Sequence, residues 1–576
     1  MIWGSLDTFL IEDEFWQDRM GKPLANKEFL EALLTYGSYE RYLFFCRDTQ
    51  ERRRLEEVLQ RALSAASLQK VRIHLQALFT EKTRENPPHV MHLGDFTYYM
   101  PSLLNYRNSL RDQRIFPITG VTHSLDGPWM QMRLLEILLS APGPCDAIVC
   151  TSMCAMEMLK KAFAGISEWF LSRWGCSLPD PPRLVHIPLG ISEEHFVPQD
   201  PVECRRRLGV PEGSVVVLSL ARFSPRNKMD LSPFLECIRW LRMRPHIPSF
   251  LVILAGAGED HQVNLVKELI ETLELGGCVR VLPNVPPHQK GTIYGASDIF
   301  VSMVDNYQET FGLTVLEAMA HGLPVIASHF NGYKELVEDG ENGFLIPTYS
   351  SPSNDPWESI SGILDPSMWR FYFAQKVSFD FNRLAQSMEI LITSPQLRRK
   401  MGIRALRGMT GRHWSAVVRR YEELWQDLWR ESLSWRGCKK GRDETHLSFW
   451  ARFVGRSFSH FPTKNLSQYD LVSLSRYGKE MLEENFKPIL YEDMAALLSE
   501  PVLKSLMDLG GSGPVEIDEL IRQASERHGV SREMAVLHID WLIKHGFLCL
   551  DSKDALWSPH KTTVPENESR HDLHLS

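Results

Sequence analysis

Along the first 190 positions, apolar residues come in short unbroken runs. Between them lie stretches with apolar residues at helical spacing. "RYLFFC" (41–46), "HVMHLG" (89–94), "FPITGVTH" (116–123), "CDAIVCTS" (145–152) and "RLVHIPLG" (183–190) read as buried strands, with helices over 49–63 and 153–164. Strands alternating with helices predict a parallel α/β sheet. The pattern restarts near residue 200. "SVVVLSLARF" (214–223), "FLVILAGAG" (250–258), "VRVLPNV" (279–285), "DIFVSM" (298–303), "LPVIAS" (323–328) and "GFLIP" (343–347) form a second set of strands. The expected fold class is therefore α/β, with two Rossmann-like doubly wound domains, 1–195 and 196–434. Strand ends of both would face a cleft between them.

The pattern changes further on. Residues 348–370 are rich in Pro and Ser and read as a loop insertion. Helices follow to about 430. In the last of them apolar or aromatic residues at 414, 417, 418, 421, 424, 425 and 428 mark one broad face. Residues 435–464, polar and basic at their start, read as a linker. Residues 465–557 read as a small, mainly helical domain, and 558–576 as a disordered tail. Within the small domain, "PVEIDELI" starts one helix. "GVSREMAVLHIDWLIKHG" reads as a turn, an N-cap at Ser531, a second helix and a glycine stop, a winged-helix-like pattern.

Composition narrows the function classes. With 43% hydrophobic and 24% charged residues, the 576-residue chain is ordinary globular protein. A net charge of −8 excludes nucleic acid as the main electrostatic partner. Segment 515–548 holds six acids against four bases, so the small domain is expected to meet a peptide or protein rather than DNA. The ten cysteines form no CxxC pair, and Cys150 and Cys154 lack a second pair of ligands nearby, so they read as packing residues in a reducing cytoplasm. The start, "MIWGSLDTFLIEDEF", lacks a basic segment followed by a long apolar core, and no signal peptide is expected. No run of about 18 apolar residues predicts a membrane span. Two aromatic stretches, 448–461 and 159–175, leave peripheral contact with the inner membrane face open, although docking on the protein's own core is the commoner fate of such stripes.

The candidate chemistry lies in "NYQETFGLTVLEAMAHGLPVIAS" (306–328). A helix starts near Gly312, and first-turn N–H groups lack internal partners and attract phosphate. Glu309 precedes the helix, and Glu317 sits more than a turn inside it. A diphosphate over the helix end would bring hydroxyl-bearing arms of a ligand near both carboxylates. Arg222 and Lys228, after the first strand of the second domain, supply balancing positive charge.

These residues, with "ARFSPRNK", "LVILAGAGED", "YGASDIFVSM", "FNGYKELVEDGENGFLIP" and a closing "HWSAVVRRYEELW", resemble glycosyltransferase family 4 over roughly residues 1–430. That resemblance implies a GT-B fold and a retaining glycosyltransferase of hexosyltransferase type that uses a nucleotide sugar, UDP- or GDP-linked. It implies that Arg222 and Lys228 hold the diphosphate, although their spacing is one residue longer than the commonest family form. Glu317 would bind ribose hydroxyls. Glu309 would touch the donor sugar, with backbone N–H groups of Phe311, Gly312, Leu313 and Thr314 nearby. His123 would lie near the donor sugar as a second catalytic residue. Gly21 would stand for a glycine loop, without the usual Gly-Gly pair. Asn331-Gly332 is either cleft-facing or only a turn, and Asp126 reads as structural.

No Asp-x-Asp metal clamp is present in the sequence, so no metal cofactor is expected, the nucleotide sugar being a co-substrate. Same-face attack, with the leaving phosphate taking the acceptor's proton, and a double displacement through Glu309 both remain open. The acceptor, whether peptide, protein, glycan or lipid, is not legible. The alternative function is an inactive GT-B scaffold acting through its C-terminal module.

Overall fold

Every residue of the runs Val215–Leu220 and Phe250–Gly256 is buried, as strands covered by helices on both faces require. A computed structural model of the chain describes residues 1–9, 21–110, 115–127, 129–350, 359–435, 466–484 and 486–551. In the first lobe β1 (Ile2–Ser5), β2 (Arg41–Cys46), β3 (Val71–Leu75), β4 (Val90–Leu93), β5 (Ile118–Val121), β6 (Ala147–Cys150) and β7 (Arg183–His186) form a parallel sheet ordered β3-β2-β1-β4-β5-β6-β7. The second lobe has β8 (Val215–Leu220), β9 (Phe250–Gly256), β10 (Val279–Pro283), β11 (Ile299–Ser302), β12 (Val325–Ser328) and β13 (Gly343–Ile346), ordered β10-β9-β8-β11-β12-β13 and again parallel. The strand order reverses beside β1 in one sheet and beside β8 in the other. Crevices form at such points, beyond the strands' carboxyl ends. This is the two-domain GT-B arrangement.

Two strands of the first lobe's sheet escape the sequence reading. β1 has only four residues. β3, "VRIHL", is an edge strand that is half-buried over most of its length and so lacks a continuous apolar run. The loop expected over 348–370 is also revised. Thr348–Ser350 pairs antiparallel with Val377–Phe379 (β14 and β15), and a helix spans Pro366–Ala374. Asp365 caps that helix through the Ser367 N–H, with Pro366 in its first turn. The Asp-Pro-Ser signal was masked by the Ser/Pro-rich composition around it.

The closing helix, Trp414–Ser434, buries all seven of the apolar positions read from the sequence and packs on the first helix, Gly21–Tyr36. Trp425 reaches the first lobe's core. Its indole N–H donates to Thr119 Oγ1 on β5 (3.1 Å), and its ring lies 5.2 Å from that of His92. A chain segment that follows the second lobe thus completes the core of the first, and residues Met1–Trp450 form one compact unit.

The second unit, Ala451–Ser576, has its own hydrophobic core. β16 (Leu471–Leu474), β17 (Val515–Glu516) and β18 (Leu548–Leu550) make a small antiparallel sheet, with β16 in the middle. Helices Glu500–Gly511, Ile517–His528 and Arg532–Lys544 pack with it. Ser531 caps the last of these, accepting from the Met534 N–H. The aromatic stretch 448–461 and the tail 558–576 lie outside the described residues. The other aromatic stretch ends the helix Met153–Trp174. Its first part is docked, with Leu159 and Phe163 buried in the first lobe's core, whereas Trp169 and Trp174 at its end are more than half exposed. Among the described residues no helix is long and apolar enough to cross a membrane.

Candidate active site

Two glycines let the second lobe's backbone close around the cleft. Gly312 caps the helix Leu313–Ala320 with φ +111°, and a Cβ there would lie 2.6 Å from the Tyr333 ring. Gly256, at the end of β9, has φ +149°, and a Cβ would meet the Ala221 carbonyl oxygen at 1.8 Å. The cleft between the lobes has a volume of about 820 Å³. Arg222, Lys228, Glu309, Phe311, Gly312, Leu313, Thr314 and Glu317 all line it from the second lobe, and His123 from the first.

The charged groups are already paired with one another. Lys228 Nζ forms an ion pair with the Glu309 carboxylate, both side chains being largely buried. Burial pushes the Glu309 carboxyl up, but the Lys228 charge and hydrogen bond outweigh it and hold the group below its usual range. Burial likewise pulls Lys228 down, and Glu309 more than offsets it. Glu309 Oε1 also accepts the Phe311 N–H (3.2 Å), so that backbone donor is in use. Arg222 Nη2 donates to the Asn227 carbonyl (3.0 Å) and to Gln308 Oε1 (3.3 Å), tying the 222–228 loop to the segment before Glu309. Thr314 Oγ1, in the first turn of the helix, is buried and finds no partner among the described residues.

Glu317 is 3% exposed. Lys290 Nζ lies 3.1 and 3.4 Å from its two oxygens, and the Tyr294 hydroxyl donates to Oε2 (2.8 Å). His195 Nε2 is 3.8 Å from Oε1. Burial raises this carboxyl, and the Lys290 charge, helped by His195 and Tyr294, brings it below its ordinary value. Lys290 and Tyr294 are four apart on one short helix, Lys290–Gly295. That spacing was the available signal. Sequence reasoning missed them because nothing local says which element this helix packs against.

On the first-lobe side, His123 Nε2 lies 2.8 Å from the Gly94 carbonyl and 2.9 Å from Asn26 Oδ1. A carbonyl only accepts, so Nε2 carries the proton. Burial pulls the His123 pKa down to about 4, leaving the ring neutral near pH 7. Lys22 and Asp95 pair beside it at 2.5 Å, and Lys22 also lines the cleft. Gly21 opens the first helix next to Lys22; its own surroundings lie outside the described residues. Glu28, on the same helix, also lines the cleft and accepts the Trp414 indole N–H (2.8 Å). Sequence reasoning missed Lys22, Glu28 and Asp95.

Direct contacts join the lobes. The Thr310 hydroxyl donates to the His123 carbonyl (3.1 Å), and Arg370 pairs with Asp126 (2.6 Å), a structural role for that aspartate. Asn331 Nδ2 donates to the Glu309 carbonyl (2.7 Å), holding the segment that carries the first glutamate. Cys154 Sγ lies 3.1 Å from the Asn331 carbonyl, and Cys150 is buried on β6. Among the described residues no group of three or more metal-ligating side chains is assembled.

Residues 202–354 match the family profile described as "Glycosyl transferases group 1". The chain is 31% identical over 196 residues to the D-inositol 3-phosphate glycosyltransferase of Acidothermus cellulolyticus, covering 33% of this chain and 42% of that protein. It is 35% identical over 172 residues to the enzyme of the same name from Geodermatophilus obscurus, covering 29% and 37%. The matched stretch is thus less than half the length of either relative. Among solved structures, sucrose-phosphate synthase from Thermosynechococcus elongatus has 19% identity, 75% and 99% coverage and a TM-score of 0.48. Anabaena HepE in complex with UDP-glucose has 17% identity, 74% and 99% coverage and a TM-score of 0.49. The similarity to group 1 glycosyl transferases falls on the segment that holds Arg222, Lys228, Glu309 and Glu317.

Proposed function

We propose that the chain is a retaining glycosyltransferase, of hexosyltransferase type, that moves a sugar from a UDP- or GDP-linked donor to an acceptor hydroxyl. The observation that carries this reading is the orphaned Thr314 hydroxyl at the helix start, in the cleft that Arg222 and Lys228 also line. A buried hydroxyl donor without an acceptor is rare. A phosphate oxygen over the first turn would satisfy it, together with the first-turn N–H groups. The diphosphate would take Lys228 from Glu309, and ribose hydroxyls would bind Glu317. Glu309, freed of its cation, would then face the donor sugar as a carboxylate.

In the reaction, the bond between the anomeric carbon and the phosphate oxygen breaks with its electron pair going to phosphate. The acceptor oxygen bonds to the same carbon on the same face, and its proton passes to the leaving phosphate. Glu309 stabilises positive charge at the sugar ring, while Arg222, Lys228 and the helix start stabilise the departing diphosphate. His123, neutral with its proton on Nε2 facing Gly94, serves to position the first-lobe wall of the sugar site. Because side chains and a helix end supply the counter-charge, activity is expected to persist in EDTA. Loss in EDTA with recovery on adding Mg²⁺ or Mn²⁺ would overturn the metal-free reading. A thermal-shift screen of UDP, GDP and their hexose derivatives, followed by donor hydrolysis, tests the function itself. Binding with turnover supports it, and binding without hydrolysis or transfer favours the inactive scaffold.

A further inference from the structure

Glu317 cannot meet a ribose without a rearrangement. Lys290 straddles both of its oxygens on the cleft side, at 3.1 and 3.4 Å, while Tyr294 holds Oε2. A carboxylate accepts about four hydrogen bonds. The buried Tyr294 can stay, but hydroxyls arriving from the cleft compete with Lys290, whose side chain is 21% exposed. Its ammonium then needs another counter-charge.

Glu28 faces that space from the other lobe. Its carboxyl receives hydrogen bonds from Trp414 and Ser192 and has no ion-pair partner among the described residues. Burial, followed in order by the Trp414 hydrogen bond that opposes it and the Glu317 charge that adds to it, leaves Glu28 raised to about 7. The Lys290 charge is already near enough to lower it somewhat. Charged or titratable groups lining the same cleft include Lys22, Lys27 and Glu31 on its own helix, Glu194 from the segment Glu193–Phe196, and His288 and Glu317 from the second lobe, with His195 against Glu317. His321 lies behind Tyr294, stacked on it at 4.9 Å.

We propose that Glu28 is a positioning residue that receives Lys290 when the ribose of a bound nucleotide takes Glu317. Donor binding thereby creates an ion pair across the cleft and draws the first helix onto the second lobe. The inference rests on the ribose role of Glu317 given above. In the empty protein Glu28 is largely a neutral acid below pH 7. On binding it becomes a carboxylate, its proton goes to solvent, and Lys290 stays an ammonium throughout. Glu28 therefore couples nucleotide affinity to pH. Affinity rises with pH up to about 7 and levels off above it.

The test is calorimetric titration of the full chain with UDP and with GDP, at pH 6.5 and 8.5, in two buffers of different ionisation enthalpy. The diphosphate's own proton contributes equally to every variant, so the readout is the difference from Glu28→Gln. At pH 6.5 the unaltered chain should release about 0.5–0.8 more protons per nucleotide than Glu28→Gln, and at pH 8.5 about none. Lys290→Met should also lose the extra release, and Lys290→Arg should keep it. Equal release in the chain and in Glu28→Gln would overturn the proposal alone. Binding that ignores Glu317→Gln would overturn the ribose reading and this one with it, as would no binding of either nucleotide.

Discussion

The two lobes have closely related sheet topologies but bring charge to the cleft in different ways. In the second lobe Glu309, the helix start and Glu317 lie within nine consecutive residues, and Arg222 and Lys228 follow one strand end. In the first lobe the polar cleft residues come from separate places: Lys22 and Glu28 from the first helix and His123 from the end of β5, with Asp95, after β4, pairing with Lys22 behind them. The first lobe also holds a fully buried ion pair that is structural. Asp146 takes two hydrogen bonds from Arg107, at 2.5 and 2.8 Å, and the N–H groups of Ile118 and Gly143, all away from solvent. On the proposed function, this is a division of labour, with donor chemistry in the second lobe and a framework in the first that shapes the opposite wall.

The largest effect should come from breaking that framework. Asp146→Ala leaves Arg107 charged and buried without its carboxylate, a loss on the order of 3–5 kcal/mol. We expect a melting temperature lower by at least about 5 °C and, in the folded fraction, unchanged nucleotide affinity by calorimetry. A stable variant that no longer binds nucleotide would erase the division of labour. Next, Glu309→Gln should lower kcat by about 10²–10³-fold, while donor affinity stays within a few-fold. Normal turnover in this variant would remove Glu309 from the chemistry.

Glu317→Gln should weaken nucleotide binding by about 10- to 150-fold, the loss of a charge-assisted hydrogen bond of roughly 1.5–3 kcal/mol. It should raise KM more than it lowers kcat. Affinity equal to that of the unaltered chain would place the ribose elsewhere in the cleft. The smallest effect is expected from removing the second unit. Truncation after Trp450 should leave a folded two-lobed protein whose donor hydrolysis is unchanged, since that unit has its own core. An insoluble product would show that the unit supports the lobes.

Much of the second lobe was legible because the evidence is local. All six strands of its parallel sheet fall on apolar runs, interrupted in the edge strand β10 by Arg280, and the central parallel strands have no polar face to break the pattern. The candidate donor site was legible for a related reason: a glycine helix start and two carboxylates are close in sequence as well as in space. By itself, then, the sequence determined the alternation of elements, the helix start at Gly312 and the apolar face of the closing helix. Only the tertiary structure decided what those groups touch. It paired Lys228 with Glu309 rather than leaving either free, set Lys290 and Tyr294 on Glu317 from another helix, and brought Trp414 and Glu28, nearly four hundred residues apart, to 2.8 Å. The physical reason is that hydrogen bonds and ion pairs act over a few ångströms of space. Helix and strand periods report which face of an element is buried, not which neighbour buries it.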